Sequence, residues 1–204
     1  MEKPRTRTPS RDIHAALIEA AEAVLIREGA DGVTIRAVAA EAGVAPMGVY
    51  NRFGNKDGLI DALLIRGFSG LRDAVDTPGV ADAAERLRQS GRNYRRFGLE
   101  NPQHYALMFE GVIPVAEFSE ELTQVSAAAF GGLVAHVDYA MAAGAIAQDE
   151  PHRVAQVVWS AVHGAVSLEI HGHCPVMIDP DQAYETLIHV LVAGLAEGSP
   201  TAPS

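Results

Sequence analysis

One stretch determines how the N-terminal third of this 204-residue chain folds: Thr34-Ile-Arg-Ala-Val-Ala39-Ala-Glu-Ala-Gly43-Val-Ala-Pro-Met-Gly-Val49-Tyr50. Two short helices that meet tightly need a small residue where they cross, a glycine in the turn and an inward apolar residue on the second helix. Ala39, Gly43 and Val49 stand at those offsets. We expect the small core beneath the motif to be completed by Val44 and Phe53. The pattern predicts a helix-turn-helix.

Further helices are expected on both sides of this motif. Ser10 and Gly29 are typical residues for the start and the end of a first helix, and Asn55 for the N-cap of a fourth. Apolar residues recur with helical spacing and only 6% of the chain is aromatic, which favours an all-α fold. About nine helices are predicted in all, the last five at about 79–99, 102–111, 119–145, 150–172 and 179–197.

Charge and composition divide the chain into four parts. Residues 1–66 have a net charge of zero, whereas 67–204 carry the whole charge of −10, so an anionic partner is expected to meet the N-terminal third. The predicted parts are a flexible basic arm at 1–10, a helix-turn-helix domain at 11–66, a second all-α domain at 67–197, and a flexible tail at 198–204. The fourth helix is expected to join the two domains.

Several classes of protein receive no support. Cys174 is the one cysteine, so no disulfide can close within the chain, which suits a reducing cytoplasm. The longest uncharged runs, Leu122–Val137 and Val154–Leu168, are shorter than a bilayer-spanning helix. Catalytic and nucleotide-binding signatures such as Gly-x-Ser-x-Gly, a Walker loop or His-Glu-x-x-His are missing. We therefore expect a cytoplasmic, non-enzymatic protein without a membrane partner, a cofactor or a metal.

The outward face of the third helix has the chemistry of a DNA-reading surface. It is small and nearly uncharged, and it consists of Ala45, Met47, Gly48, Tyr50 and Asn51. Such a face fits a major groove, where thymine methyl groups favour apolar contact and an amide can pair with base edges. Thr34, the Tyr50 hydroxyl and Lys56 are suited to hold phosphates on either side. Double-stranded DNA is the predicted partner.

The segment Gly43-Val-Ala-Pro-Met-Gly-Val-Tyr50-Asn-Arg-Phe53-Gly-Asn-Lys56-Asp-Gly-Leu59 resembles the recognition helix and the start of helix 4 in the tetracycline-repressor (TetR/AcrR) family of bacterial transcriptional regulators. The resemblance covers about residues 11–66. It implies phosphate contacts by Thr34, Tyr50 and Lys56. It also implies base or groove contacts by Arg36, Ala45, Pro46, Met47 and Asn51. Arg52 departs from the His or Tyr of many relatives and is a further candidate for a phosphate contact.

The last two predicted helices are apolar on more than one side, so they are expected to be buried against more than their own lobe. Members of this family dimerise through these two helices as a four-helix bundle. The resemblance therefore implies a homodimer whose two recognition helices read a palindromic operator. A monomer with both helices in one core is the alternative.

Two further motifs resemble the C-terminal subclass named for its Trp-His-Gly signature: Trp159-Ser-Ala-Val-His163-Gly164 and Pro102-Gln-His104-Tyr105-Ala-Leu-Met108-Phe109. This resemblance covers about residues 80–197. It implies a pocket for a small-molecule effector, because its side chains combine apolar area with a few polar groups. The predicted wall consists of His104, Met108, Phe109, Phe118, Phe130, Trp159 and His163. The alternative is that these residues only fill a core.

Two minor features remain open. His171, His173 and Cys174 are close in sequence, and with Glu169 or His163 they could bind zinc or copper, although imidazoles at a helix end also cap carbonyls. Basic residues of the arm could reach a minor groove or stay solvated: Lys3, Arg5, Arg7 and Arg11.

The combined interpretation is a ligand-responsive transcriptional regulator, expected to be a repressor, that an effector releases from its operator by shifting a conformational equilibrium. The resemblance thus makes 11–66 the DNA-binding domain and 67–197 the effector-binding and dimerisation domain. One alternative is an all-α ligand-binding or catalytic protein whose helix-turn-helix is vestigial. A metal-responsive regulator on the same scaffold is another.

Overall fold

The computed structural model describes residues 10–110 and 118–197, with side chains from residue 13 onward. These residues form helices and no strand, which confirms the predicted all-α class. The helices are α1 (Ser10–Gly32), α2 (Ile35–Glu41), α3 (Pro46–Phe53), α4 (Lys56–Val75), α5 (Ala83–Glu100), α6 (Pro102–Phe109), α7 (Glu120–Ala142), α8 (Pro151–Ile170) and α9 (Pro180–Glu197). The basic arm and the C-terminal tail predicted from the sequence lie outside the described residues.

Capping residues set several helix boundaries. Asn55 accepts a hydrogen bond from the backbone N–H of Gly58 at 2.9 Å, as expected of the N-cap of α4. Asp82 accepts one from the N–H of Glu85 at 2.7 Å, and α5 therefore begins a few residues later than the predicted position 79. Gly29 interrupts α1 with φ 73° and ψ −177°, so the predicted end of the first helix is a break followed by one more turn.

The described chain divides into two compact units. The first comprises the residues up to 67 together with 103–123, so most of α6 and the start of α7 pack with the helix-turn-helix. Its core is apolar and consists of Leu17, Val24, Leu25, Val33, Val38, Val49, Leu59, Ile60, Leu63, Leu64 and Leu107. α4 runs without a break from this unit into the next.

The second unit comprises residues 68–102 and those from 124 onward. Here α5 packs against α8 and α9, which also pack against each other. One cluster of its core consists of Ala83, Leu87, Val137, Ala140, Met141, Ile146, Val154, Ala155, Val158 and Val192. Ion pairs between helices surround the apolar contacts, from Arg92 on α5 to Glu185 on α9 and from Arg95 on α5 to Glu169 on α8.

α7 has 23 residues and continues to Ala142, so it is longer than the uncharged run Leu122–Val137 of the sequence. Among the helices of the described ranges, it alone is long and apolar enough to cross a membrane by length and composition. Leu122, Val137 and Met141 of this helix are buried within the protein.

Candidate functional site

The helix-turn-helix forms as its spacing predicts. Ala39 and Val49 are buried, with exposed fractions of 1% and 0%, and they face the interior where α2 and α3 meet. Gly43 has φ 65°, a left-handed conformation that residues with a Cβ rarely adopt. The backbone N–H of Val44 donates to the carbonyl of Ala39 at 2.9 Å, which closes the turn.

One expectation about this small core was wrong. The Val44 side chain is 40% exposed, because only its backbone N–H turns back toward α2. Phe53 is half-buried and stacks on the ring of His14 in α1, with centroids 5.1 Å apart. Phe53 therefore joins α3 to α1, and Val44 remains on the surface of the turn.

The outward face of α3 is exposed and uncharged. Met47 and Tyr50 have exposed fractions of 64% and 56%, large values for apolar and aromatic side chains in a monomeric chain. The other predicted groove-contacting positions of the turn and α3 are also exposed: Ala45, Pro46, Gly48 and Asn51. A protruding helix with small, apolar and amide side chains can enter the major groove of DNA.

Groups suited to phosphate binding flank this face. The Thr34 hydroxyl caps α2 by accepting from the N–H of Ala37 at 3.1 Å, and a hydroxyl that accepts can still donate its proton to a phosphate. Lys56 is exposed and its Nζ donates to the carbonyl of Asp31 at 3.4 Å. Arg36 is exposed on α2. These side chains present cationic or donor groups next to α3 in sequence.

An ion pair joins α1 to α2. Arg27 donates to Glu28 and Glu41, and its Nη1 lies 2.9 Å from Glu41 Oε2. The hydrogen bonds to Glu28 and Glu41 raise the pKa of Arg27. The negative charge that Glu41 adds to α2 is thus paired with a cation from α1.

Four of the predicted effector residues belong to the first unit. His104 and Met108 are buried, and Phe109 and Phe118 are half-buried. The rings of Tyr105 and Phe109 meet edge to face, 4.9 Å apart. These residues lie on α6 or just before α7.

The remaining three belong to the second unit, where they cluster. The ring of Trp159 lies 6.2 Å from that of Phe130 and 5.6 Å from that of His163. Trp159 Nε1 donates to the hydroxyl of Tyr94 at 3.3 Å, and this hydroxyl lies 3.0 Å from His163 Nδ1. The Tyr94 hydroxyl thus accepts from Trp159 and is hydrogen-bonded to His163 Nδ1, and the tautomer of His163 decides which of these two groups donates. Burial lowers the pKa of His163 and favours the neutral imidazole.

Tyr94 was not among the candidates from the sequence, although it connects Trp159 to His163. The signal that could have identified it is the spacing of Leu87, Tyr94 and Phe97 along α5, which places an aromatic hydroxyl on the buried stripe of an otherwise polar helix. A buried tyrosine hydroxyl requires a hydrogen-bond partner, and two of the candidates supply it.

The His171–His173 segment caps a helix end. His171 Nδ1 donates to the carbonyl of Ser167 at 2.7 Å, and the rings of His171 and His173 stack with centroids 6.1 Å apart. Arg95 holds the carboxylate of Glu169, a proposed fourth ligand. Across the described ranges, no three His, Cys, Asp or Glu residues come together as metal ligands would. The geometry favours the capping interpretation over the metal-responsive alternative.

The second unit also exposes an apolar face on its last two helices. Val157 and Leu168 of α8 have exposed fractions of 50% and 54%, and Val190 of α9 has 62%. Positions 157, 161, 164 and 168 follow the spacing of one helical face, and they hold Val, Ala, Gly and Leu. The core-facing side of the same helices is formed by Val154, Val158, Val162, Ile188 and Val192.

A tight helix-turn-helix whose second helix presents an exposed, uncharged face indicates a DNA-binding transcriptional regulator. Two sequence profiles agree with this class: that of bacterial regulatory proteins of the tetR family matches residues 17–63, and that of the tetracyclin repressor-like C-terminal domain matches residues 87–191. The chain belongs to the tetracycline-repressor (TetR) family, a family of regulators and not of enzymes. The Trp-His-Gly subclass remains a prediction.

Relatives and solved structures are similar to this chain along most of its length. The HTH-type transcriptional regulator Rv1816 of Mycobacterium tuberculosis is 25% identical, over 95% of this chain and 96% of its own. A protein of unknown function from Rhodococcus sp. RHA1 has a TM-score of 0.82 at 27% identity, covering 96% of this chain and 100% of its own. The regulator FadR from Bacillus subtilis, solved with stearoyl-CoA, has a TM-score of 0.73, covers 89% of this chain and 98% of its own, and at 17% identity shares the fold.

Proposed function

We propose that this chain is a cytoplasmic repressor that binds a palindromic operator as a homodimer and is released by a small-molecule effector. The exposed and uncharged face of α3 carries the proposal, because Met47 and Tyr50 are exposed next to the amide of Asn51, and such side chains can contact base edges and thymine methyl groups in the major groove. In this assignment, Thr34, Tyr50 and Lys56 hold phosphates. Base or groove contacts come from Arg36, Ala45, Pro46, Met47 and Asn51.

The exposed apolar face of α8 and α9 supports a homodimer. Val157, Leu168 and Val190 lose their contact with water when the same face of a second copy covers them. A two-fold axis through this face gives two identical recognition helices. Such a dimer reads two half-sites about one helical turn of DNA apart, roughly 34 Å.

The aromatic cluster of the second unit supports an effector site. Phe130 and Trp159 offer apolar area, and the His163 imidazole and the Tyr94 hydroxyl offer polar groups beside it. The predicted effector contacts on α6 and at Phe118 belong to the first unit and remain a separate prediction. An effector switches the protein only if it prefers the conformer that does not bind DNA, by about 5.5 kcal/mol for a near-complete switch.

Binding of the full-length protein to the DNA upstream of its own gene tests the proposal. In a gel-shift or anisotropy titration, we expect tight binding in dilute buffer that weakens steeply as salt rises, because phosphate contacts release counterions. A scrambled duplex of the same composition serves as the control. Equal affinity for both duplexes, or no binding even in dilute buffer, would overturn the proposal.

The same protein reports on its effector. Trp159 is the one tryptophan of the chain, so its fluorescence responds to compounds that bind the aromatic cluster. A compound that quenches this fluorescence is expected to release the operator at similar concentrations. If a compound quenches the fluorescence but leaves the affinity for the operator unchanged, the aromatic cluster is not the site that regulates DNA binding.

A further inference from the structure

A buried histidine links α6 to two helices of the DNA-binding unit. His104 has an exposed fraction of 5%, and within the described residues its Nε2 has no hydrogen-bond partner. This nitrogen lies 3.4 Å from Oε1 of Glu22 on α1. The other oxygen of Glu22 lies 2.7 Å from Nη2 of Arg66 on α4. One carboxylate is thus shared between a guanidinium and an imidazole.

α6 lies against α4 at the same place. A Cβ at Gly67 would come within 2.9 Å of Met108 Sδ, so the Met108 side chain would have to shift, and it would lie 3.6 Å from His104 Cδ2, an ordinary van der Waals distance. Met108 is buried beside it. The side chains of His104 and Met108 on α6 therefore pack closely against α4 at Gly67.

The two protonation states of His104 differ in how well they suit this position. The neutral ring is compatible with burial, whereas the imidazolium loses its hydration there. Among the described residues, the charged groups that act on it are Glu22, which favours the imidazolium, and Arg66, which opposes it. Burial outweighs Glu22 and lowers the pKa of His104. Protonation therefore favours arrangements in which the ring reaches water.

We propose that His104 is an acid-sensitive latch, in which the neutral imidazole keeps α6 packed against α1 and α4 and protonation releases α6 from them. The consequence for DNA rests on the proposed function. In that assignment, the arrangement in which α6 packs against α1 and α4 is the one that binds the operator. Operator affinity is thus expected to fall as the pH falls through the range where histidine titrates.

Hydrogen exchange measured by mass spectrometry on the full chain tests the latch without DNA. Exchange of the α6 segment Pro102–Phe109, corrected for the intrinsic pH dependence, is compared at about pH 8 and about pH 5.5. We expect the wild-type segment to exchange about threefold faster or more at the lower pH. In His104→Phe, which keeps an apolar ring, the corrected rates should agree at both pH values.

Two matched variants make the test specific. His136→Phe removes another buried histidine, one that lies in the second unit, and should leave the pH response of α6 unchanged. Glu22→Gln removes the charge that favours the imidazolium and should enlarge the response. A response that persists in His104→Phe, or that disappears in His136→Phe, would overturn the latch.

Operator binding at the two pH values separates the latch from the proposed function. We expect the ratio of the two dissociation constants to be about threefold larger in the wild type than in His104→Phe. His14→Asn, which changes the imidazole stacked on Phe53, should keep the wild-type ratio. A protein that shows the α6 response but binds no DNA at either pH would refute the repressor assignment alone. Equal ratios in wild type and His104→Phe would refute the link from the latch to DNA.

Discussion

The guanidinium of Arg95 on α5 donates two hydrogen bonds to the carboxylate of Glu169 on α8, at 2.7 and 2.6 Å. Both side chains are only 17% exposed, and the same guanidinium reaches Asp181 of α9 at 2.5 Å. The hydrogen bond to Glu169 is the main cause that raises the pKa of Arg95. Arg95 and Glu169 therefore form a bidentate ion pair that is largely shielded from water, and with Asp181 it connects three helices of the second unit.

Glu169→Gln should lower the free energy of unfolding by about 2 kcal/mol, between the values for exposed and fully buried pairs, because it leaves Arg95 partly buried without its main counter-charge. Glu185→Gln is the matched control, since Glu185 pairs with Arg92 in a more exposed position, with 51% of its side chain accessible. We expect the control to cost less than about 1 kcal/mol. Urea denaturation at fixed protein concentration measures both, and equal losses would contradict this ranking.

Gly43→Ala should destabilise the helix-turn-helix by about 1 kcal/mol, because alanine is strained at φ 65°. Gly48→Ala is the control, since Gly48 lies within α3 and its added methyl group meets open space. That change should leave stability unchanged or raise it by up to about 1 kcal/mol, as expected from helix propensity. Thermal unfolding distinguishes the two, and a loss of similar size in both variants would refute a special role for the turn.

Contacts to phosphates and contacts to bases should separate in binding experiments. Tyr50→Phe and Lys56→Ala are expected to weaken binding about fivefold on every sequence, since each removes a hydrogen bond or a charge directed at the backbone. Met47→Ala and Asn51→Ala should instead change which base pairs are preferred. Selection of bound DNA from a random pool, followed by titrations at two salt concentrations, makes the comparison. If all four variants lose affinity in the same way, the assignment of contacts is wrong.

Val190→Glu should shift the protein from dimer to monomer, because a carboxylate on the exposed apolar face of α8 and α9 is costly to bury. Ala135→Glu introduces the same charge on an exposed position of α7 and should leave the dimer intact. Sedimentation at several protein concentrations measures the association. A wild-type protein that stays monomeric at every concentration would remove the dimer from the proposal.

Stability should decrease as the pH falls from about 7 to about 5. Burial is the main cause that lowers the pKa of His104, His136 and His163, so the unfolded chain takes up protons at a higher pH than the folded one. Full stability is thus present above the ordinary histidine range, roughly pH 6.5, and is lost below it. His136→Phe should flatten the dependence, because it removes one of these three groups. Denaturation curves across the pH series measure the slope, and a slope equal to that of the wild type would contradict this explanation.

The helix-turn-helix and the order of the helices could be predicted from the sequence because they depend on local rules. The offsets between Ala39, Gly43 and Val49 act within two helical turns, and the cap at Asn55 acts within one. Such patterns depend on neighbours in the sequence, and they predicted the helix-turn-helix and the helix order correctly. The exposure of Val44 escaped them, because the turn directs its backbone and not its side chain toward α2.

Contacts between segments that are distant in the sequence could not be predicted in this way. Three such contacts are visible only in the folded chain. α6 packs with the first unit, Tyr94 connects Trp159 to His163, and Glu22 lies beside both His104 and Arg66. Residue type and spacing indicate which side chains seek burial, and hence the class of the fold and its recognition helix. Which partners they find depends on how complete helices pack against each other, since shape and desolvation are properties of the assembled core and not of any short segment.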